Sequence, residues 1–158
     1  VGEGLSRLFS ASGKESPELG EQLTLSNSMG LMLQKTNILR DFREDTDEGR
    51  VWWPEEIWSK YVSKPEELYA VGNEDKAMWA LSEMTVDALT HATDALDYLT
   101  LLTNQSVFNF CAIPQVMAVA TLETCFMNPK VMHQNVKIRK GLAVSVSLLC
   151  CLTETECS

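Results

Sequence analysis

Residues 41–50 read Asp-Phe-Arg-Glu-Asp-Thr-Asp-Glu-Gly-Arg and close an apolar stretch, Asn27–Arg40. Asp41, Glu44 and Asp45 stand at i, i+3 and i+4, so a helix sets all three carboxylates on one face. Like charges that close oppose the helix unless something neutralises them. A hard divalent cation does so, and Mg²⁺ commonly sits between one or two carboxylates and the phosphates of a substrate. The alternative is a solvated acidic helix end, and the spacing alone leaves both readings open.

Upstream, Gln34, Asn37 and Asp41 follow at i, i+3 and i+7, a row that runs into Glu44 and Asp45. Amides can orient a carboxylate or bond a phosphate oxygen, although ordinary surface polarity gives the same pattern. Arg40 and Arg43 flank the acids, either as weak surface ion pairs or as partners for a diphosphate. Lys137, Arg139 and Lys140 form the densest basic cluster, a phosphate holder beside a helix start or a solvated loop. Phe108-Asn109-Phe110-Cys111-Ala112-Ile113-Pro114-Gln115 offers an apolar wall for a greasy substrate, kinked at Pro114, or plain core packing; Met29 and Met32 admit the same pair of readings. His91 and His133 each stand alone and read as structural.

The elements that must carry these residues are helical throughout, with no strand pattern and no internal repeat. Gly2–Ser10 reads as a helix stopped by residues 11–14. Gly20–Glu44 reads as one long helix with a wide apolar face of Leu23, Leu25, Met29, Leu31, Met32, Leu33, Ile38 and Leu39. Asp47-Glu48-Gly49 is a turn with a glycine stop. Pro54 opens a short helix to Tyr61 as an N1 proline, and Pro65 repeats the pattern. Asp75–Leu102 reads as one amphipathic helix with Met78, Leu81, Met84, Val86, Leu89, Ala92, Leu96 and Leu99 on its apolar face. Residues 103–106 cap the next helix, about Val107–Phe126, which Pro114 kinks. Asn128-Pro129 punctuates, and a last apolar helix covers Leu142–Leu152.

The chain has 158 residues and a net charge of −9, one domain's worth with an acidic surface. That balance argues against nucleic acid, which demands basic stripes; a phosphorylated small molecule remains possible where metal ions reverse the local field. Cys111, Cys125, Cys150, Cys151 and Cys157 are odd in number and lack a CxxC spacing, so reduced thiols in a cytosol-facing protein are expected. There is no signal peptide, and the late apolar run Gly141–Leu152 is too short to cross a bilayer. The opening at Val1 rather than methionine suggests a piece of something longer.

Several strings are long and unusual. Val1–Ser12 (VGEGLSRLFSAS), Asn27–Arg50 (NSMGLMLQKTNILRDFREDTDEGR), Trp53–Tyr61 (WPEEIWSKY), Asn104–Leu122 (NQSVFNFCAIPQVMAVATL) and Val136–Gly141 (VKIRKG) resemble squalene synthases, the farnesyl-diphosphate farnesyltransferases. The resemblance covers 1–144 as a partial synthase domain; 145–158 reads as a divergent C-terminal tail. It implies an all-α isoprenoid-synthase-type helical bundle, here incomplete. It implies Mg²⁺ and NADPH as cofactors, with farnesyl diphosphate and presqualene diphosphate as partners. Two farnesyl diphosphates join head to head through presqualene diphosphate, and NADPH reduces the product to squalene for sterol biosynthesis.

By the same resemblance Asp41, Glu44 and Asp45 match the second of two acidic motifs and bind metal. Asp41, Asp45 and Arg40 form the catalytic set. Val1, Leu5, Gln34, Asn37, Phe110, Lys137 and Arg139 lie near the cofactor. Arg50, Phe108, Cys111 and Pro114 contact the substrate, Arg50 at the diphosphate and the others along the hydrocarbon. The first acidic motif, a catalytic tyrosine upstream and a C-terminal membrane anchor are not in this sequence. The implied setting is the cytosolic face of the endoplasmic reticulum membrane, with this polypeptide itself soluble and inactive alone. Rival readings are a phytoene-synthase-like transferase without the reduction and a non-catalytic helical interaction module.

Overall fold

Proline placement and helix-end chemistry divide this chain into short helical pieces. The computed structural model describes residues 1–145, and among them every regular element is helical. The α-helices are α1 (Gly2–Ala11), α2 (Leu23–Arg40), α3 (Phe42–Asp47), α4 (Glu55–Trp58), α5 (Glu74–Leu89), α6 (Ala92–Thr100) and α7 (Gln105–Cys125). Residues 140–145 are also helical, and the rest of the expected Leu142–Leu152 helix lies outside the described residues. Three-ten turns at Pro17–Glu21, Pro65–Tyr69 and Pro129–Met132 each open on a proline, whose missing N–H would have no helical partner at that position.

The described residues fall into two compact units. One contains Val1–Leu33, Thr90–Val119 and the described residues from Arg139; the other contains Gln34–Leu89 and Ala120–Ile138. In the first unit, α1 lies against α2 through small residues. A methyl group added at Gly2 would overlap the Ser26 carbonyl oxygen, and one at Gly30 would lie 3.2 Å from the Gly2 nitrogen. Ser6, one turn beyond Gly2, is buried and shares a 2.7 Å hydrogen bond with the hydroxyl of Tyr98 on α6. Glu15 is also buried, and its carboxylate accepts from the Thr103 and Asn104 amides (3.0 and 2.9 Å) and from the Thr103 hydroxyl (2.9 Å). Those donors lie just before α7, where an anion suits the free N–H groups of a helix start. Asn104 adds its own cap, accepting from the Ser106 and Val107 amides. Gln115 on α7 donates from Nε2 to the Met29 carbonyl on α2 (3.0 Å).

The expected helix Gly20–Glu44 is interrupted at both ends. Gln22 (φ −77°, ψ 62°) separates the first three-ten turn from α2, and Asp41 (φ −91°, ψ 9°) separates α2 from α3. The second break has a visible cause: the Ile38 carbonyl in the last turn of α2 accepts from the Trp53 indole Nε1 (3.1 Å). Phe42 turns inward against the same indole, with ring centroids 4.3 Å apart. A helix-end carbonyl needs an outside partner, and Trp53 supplies it. Of the apolar face expected on α2, Met29, Met32 and Leu39 are deeply buried, joined by Ser26 and Thr36.

The expected helix Asp75–Leu102 is two helices, α5 and α6, parted at Thr90 and His91. One helical phase does not carry across that break. Val86, Leu89 and Leu96 are exposed, while Ala77, Ala80, Leu81, Met84 and Ala88 form the buried face of α5. Pro54 stands outside α4 as its N-cap (φ −57°, ψ 133°) rather than at N1, and α4 ends at Trp58, short of Tyr61. Gly49 takes the left-handed conformation expected of a stop (φ +74°).

Cys111 and Cys125 are free and buried; Cys150, Cys151 and Cys157 lie outside the described residues. Burial pushes the Cys111 thiol up to about 11, with the nearby Glu15 charge acting in the same direction. Burial also pushes Cys125 up to about 11, where Asp41 adds to the rise and Arg40 opposes it. Burial raises the Tyr98 hydroxyl too, against its bond to Ser6.

Two outcomes follow from this packing. Gly2→Ala should lower stability by about 1–3 kcal/mol, the usual cost of overpacking. Gly4→Ala, where an added methyl meets nothing within 4 Å, should be neutral or slightly stabilising through helix propensity. Paired thermal melts check this, and equal losses would contradict it. The raised thiols imply stability that is complete below the unfolded thiol pKa near 9 and is lost as pH rises through about 11. Melting temperature should therefore fall across that window. Alkylation at pH 8 should label Cys111 and Cys125 at least tenfold more slowly in the folded protein than in denaturant, on the order expected for buried thiols.

Candidate functional site

The second unit holds the acidic segment, and three arginines hold most of its carboxylates in place. Arg40 makes a two-pronged contact with its neighbour Asp41, Nε to Oδ1 and Nη2 to Oδ2, both 2.7 Å. The partly buried guanidinium is shifted further upward by that bond, against the opposing effect of its own desolvation. Arg43 pairs with Asp47 (2.8 Å) and lies over the Tyr69 ring, 4.2 Å from its centroid. Arg50 binds Asp45 (2.8 Å) and Glu48, and its backbone N–H closes the turn onto the Asp45 carbonyl (2.8 Å). Among the described residues, Glu44 has no arginine within ion-pair distance.

Glu44 instead shares a partner with Asp41. Asn135 donates from Nδ2 to Asp41 Oδ1 (2.6 Å) and to Glu44 Oε2 (3.1 Å). Asn135 reaches this place because the Pro129–Met132 turn packs on both α3 and α5 and delivers the strand of loop that follows. That turn is itself capped by Asn128, which accepts from the Lys130 amide (3.1 Å). No periodicity marks Asn135; its only sequence signal is a place two residues before the basic cluster that starts at Lys137.

The structure thus brings Asp41 and Glu44 to one point, turns Asp45 toward Arg50, and locks Arg40 to Asp41. Gln34, Asn37 and Glu44 are exposed and Asp41 is half-buried, so this row remains accessible along α2 and α3. Lys137 is exposed in the same unit. Val1, Leu5, Phe108, Phe110, Cys111, Pro114 and Arg139 belong to the other unit. There Val1 caps α1 from outside and is exposed, while Leu5 is half-buried. On α7, Phe108 and Cys111 stand at i, i+3 and Phe110 and Pro114 at i, i+4, occupying adjoining stripes. Phe110 is exposed and meets Phe9 edge to face at 6.0 Å.

Among the described residues, no three His, Cys, Asp or Glu side chains converge closely enough to form a metal site by themselves. Two carboxylate oxygens on one donor nevertheless fit a hard cation. Mg²⁺ is usually held by one or two carboxylates, with phosphate oxygens and water filling the other positions. The amide N–H now engages the lone pairs that such an ion would use.

The comparisons with known proteins bear on this geometry directly. The profile of the squalene/phytoene synthase family matches residues 1–141. A squalene synthase of Schizosaccharomyces pombe is 59% identical over 148 residues, covering 94% of this chain and 32% of that protein. One from Ganoderma lucidum is 57% identical over 157 residues, covering 92% of this chain and 34% of that protein. A solved structure of TcSQS in complex with the ligand BPH1237 superposes with a TM-score of 0.91 at 44% identity, covering 94% of this chain and 44% of the other. The chain therefore spans about a third of the length of the curated relatives it matches, and its all-α bundle is that of the isoprenoid synthases. By the extent of the profile and the identity of its relatives, this chain belongs to the squalene/phytoene synthase family.

Proposed function

We propose that this chain supplies one acidic wall and part of the cofactor site of a squalene synthase. The whole protein would join two farnesyl diphosphates head to head through presqualene diphosphate and reduce the product with NADPH to squalene. The observation that carries this reading is the convergence of the Asp41 and Glu44 carboxylates on a single amide, in a sequence more than half identical to named squalene synthases. Those relatives also favour the reductive reaction over a phytoene-type coupling without NADPH.

Asp41 and Glu44 present oxygen ligands whose positions are held by Arg40 and Asn135. Asp45, which is bonded to Arg50, completes the acidic motif. When bound, Mg²⁺ supplies Lewis-acid stabilisation and a template for the departing diphosphate. Arg50 is exposed and already bridges two acids, so it can turn toward a diphosphate oxygen without being buried. Gln34 and Asn37 hydrogen-bond from the same row and orient the ligand. By the family resemblance, Lys137 and Arg139 would hold the phosphates of NADPH, and Val1, Leu5 and Phe110 would contact its nicotinamide. Phe108, Phe110, Cys111 and Pro114 wall the farnesyl chain, exclude water and favour a passing cation with aromatic faces. The Cys111 thiol, pushed up to about 11 by burial, stays neutral there and does not present a thiolate to the cation.

In this reading residues 1–144 are synthase and 145–158 a divergent tail, and the whole protein works at the cytosolic face of the endoplasmic reticulum membrane. Among the described residues α7 alone is long and apolar enough to cross a bilayer. Its Cys111, Ala112, Gln115, Ala118 and Leu122 are buried, while Phe110, Val116 and Val119 are exposed.

Stabilising a departing diphosphate needs metal-binding groups on both sides of it. This polypeptide alone, given farnesyl diphosphate, Mg²⁺ and NADPH, should make no squalene above an Asp41→Ala, Asp45→Ala control. Residues 1–141 exchanged into the matching span of the Schizosaccharomyces pombe relative should retain squalene formation. Asp41→Ala in that hybrid should lower kcat by roughly 10²–10³-fold, the scale for losing a transition-state charge stabiliser. Gas chromatography of the hydrocarbon product reads both. An Asp41→Ala hybrid as active as its parent would contradict the assignment.

A further inference from the structure

The methionines of this chain differ sharply in their access to solvent. Met29, Met32, Met84 and Met132 are buried and Met78 and Met117 are half-buried, whereas Met127 is 49% exposed. Met127 stands just after α7 in the left-handed region (φ +51°), which a non-glycine residue takes at a cost. The backbone is held on both sides of it. The Phe126 N–H donates to the Leu122 carbonyl (2.8 Å), and Asn128 donates from its N–H to the Cys125 carbonyl (3.0 Å) and from Nδ2 to the Thr124 carbonyl (2.9 Å). The side chain is held too: Ser82, midway along α5, donates its hydroxyl to Met127 Sδ at 2.9 Å. A thioether has no proton to give, so the direction of that bond is fixed. A serine or threonine within a helix often bonds a carbonyl of its own preceding turn, as Thr85 does to Leu81 on the same helix; the Ser82 hydroxyl turns outward to the sulfur instead. Both residues lie in the second unit.

A thioether sulfur has two lone pairs, and oxygen transfer to one or the other gives opposite sulfoxide epimers. The Ser82 hydroxyl occupies one pair and leaves the other for an oxidant. We infer that Met127 is a reversible oxidation site for peroxides, and that Ser82 fixes which sulfoxide epimer forms there. In the step with hydrogen peroxide the free lone pair attacks one peroxide oxygen. The S–O bond forms as the O–O bond breaks, the sulfur loses two electrons to the peroxide, and the departing hydroxide takes the remaining peroxide proton to leave as water. Reductases that each act on one epimer return the thioether, so Ser82 also selects which kind of reductase reverses the change. The added oxygen makes an apolar side chain polar at a place where the neighbouring Phe126 is also exposed.

The test is brief treatment of the full chain with hydrogen peroxide, mass mapping of the methionine peptides, and chromatographic separation of the two Met127 sulfoxide epimers, each identified by the reductase specific for it. Met127 should take the first oxygen, roughly tenfold ahead of the buried methionines, since susceptibility follows exposure. Its epimers should form in a ratio of at least about three to one, the bias of a hydrogen bond at the low end of the usual range. Ser82→Ala should bring the two epimers close to equal amounts, and Ser82→Thr, which keeps the hydroxyl, should keep the bias. A first oxygen on any other methionine would overturn the assignment of the site. Equal epimers in the natural chain, or a bias that survives Ser82→Ala, would overturn the part given to Ser82.

Discussion

Two carboxylates held close together in water-accessible protein repel each other, and the arrangement of the second unit follows from offsetting that repulsion. Residues 40–50 contain Asp41, Glu44, Asp45, Asp47 and Glu48 against Arg40, Arg43 and Arg50. The arginines are committed to Asp41, Asp47, Asp45 and Glu48. Glu44 is left to the neutral amide of Asn135. The segment therefore keeps a local excess of negative charge at the Asp41–Glu44 point, the feature on which the proposed cation binding rests.

Holding that point requires a rigid frame, and aromatic packing provides it. Phe42 is buried between Trp53 and Tyr69. Trp53 ends α2 by bonding the Ile38 carbonyl, and Tyr69 carries the Arg43 guanidinium on its face. Asp41 and Glu44 flank Phe42 and Arg43 in the chain, so the acids are positioned by neighbours that cannot move independently. The first unit uses different means. There Gly2, Ser26 and Gly30 permit backbones to approach, while the buried pair Ser6–Tyr98 ties α1 to α6 and the buried pair Glu15–Thr103 ties the segment after α1 to the start of α7. Satisfied buried polar groups specify one arrangement because every alternative leaves a donor or acceptor unpaired.

Local chemistry was legible in the sequence, and long-range pairing was not. The family strings led to the all-α fold, and the i, i+3, i+4 spacing singled out Asp41, Glu44 and Asp45, of which the structure joins Asp41 and Glu44 on one amide and pairs Asp45 with Arg50. Asn104 and Gly49 announced their turns because cap and stop residues act within a few positions. The breaks at Asp41 and at Thr90–His91 were missed, since the apolar period continues through both and the first is caused by Trp53, 15 residues beyond Ile38. Val86 and Leu96 looked like core for the same reason. Asn135 and Glu15 carried no periodic signal, because their partners lie 94 and 88 residues away for Asp41 and Thr103 respectively. Polar residues that act by tertiary contact have no periodicity to read.

The most direct test of the account is anomalous diffraction from crystals of the chain grown with Mn²⁺ and inorganic diphosphate. The account predicts a Mn²⁺ peak between the Asp41 and Glu44 carboxylates, with diphosphate oxygen completing its coordination. A well-ordered Asp41–Glu44 site with no peak, and Mn²⁺ bound elsewhere on the chain, would contradict it.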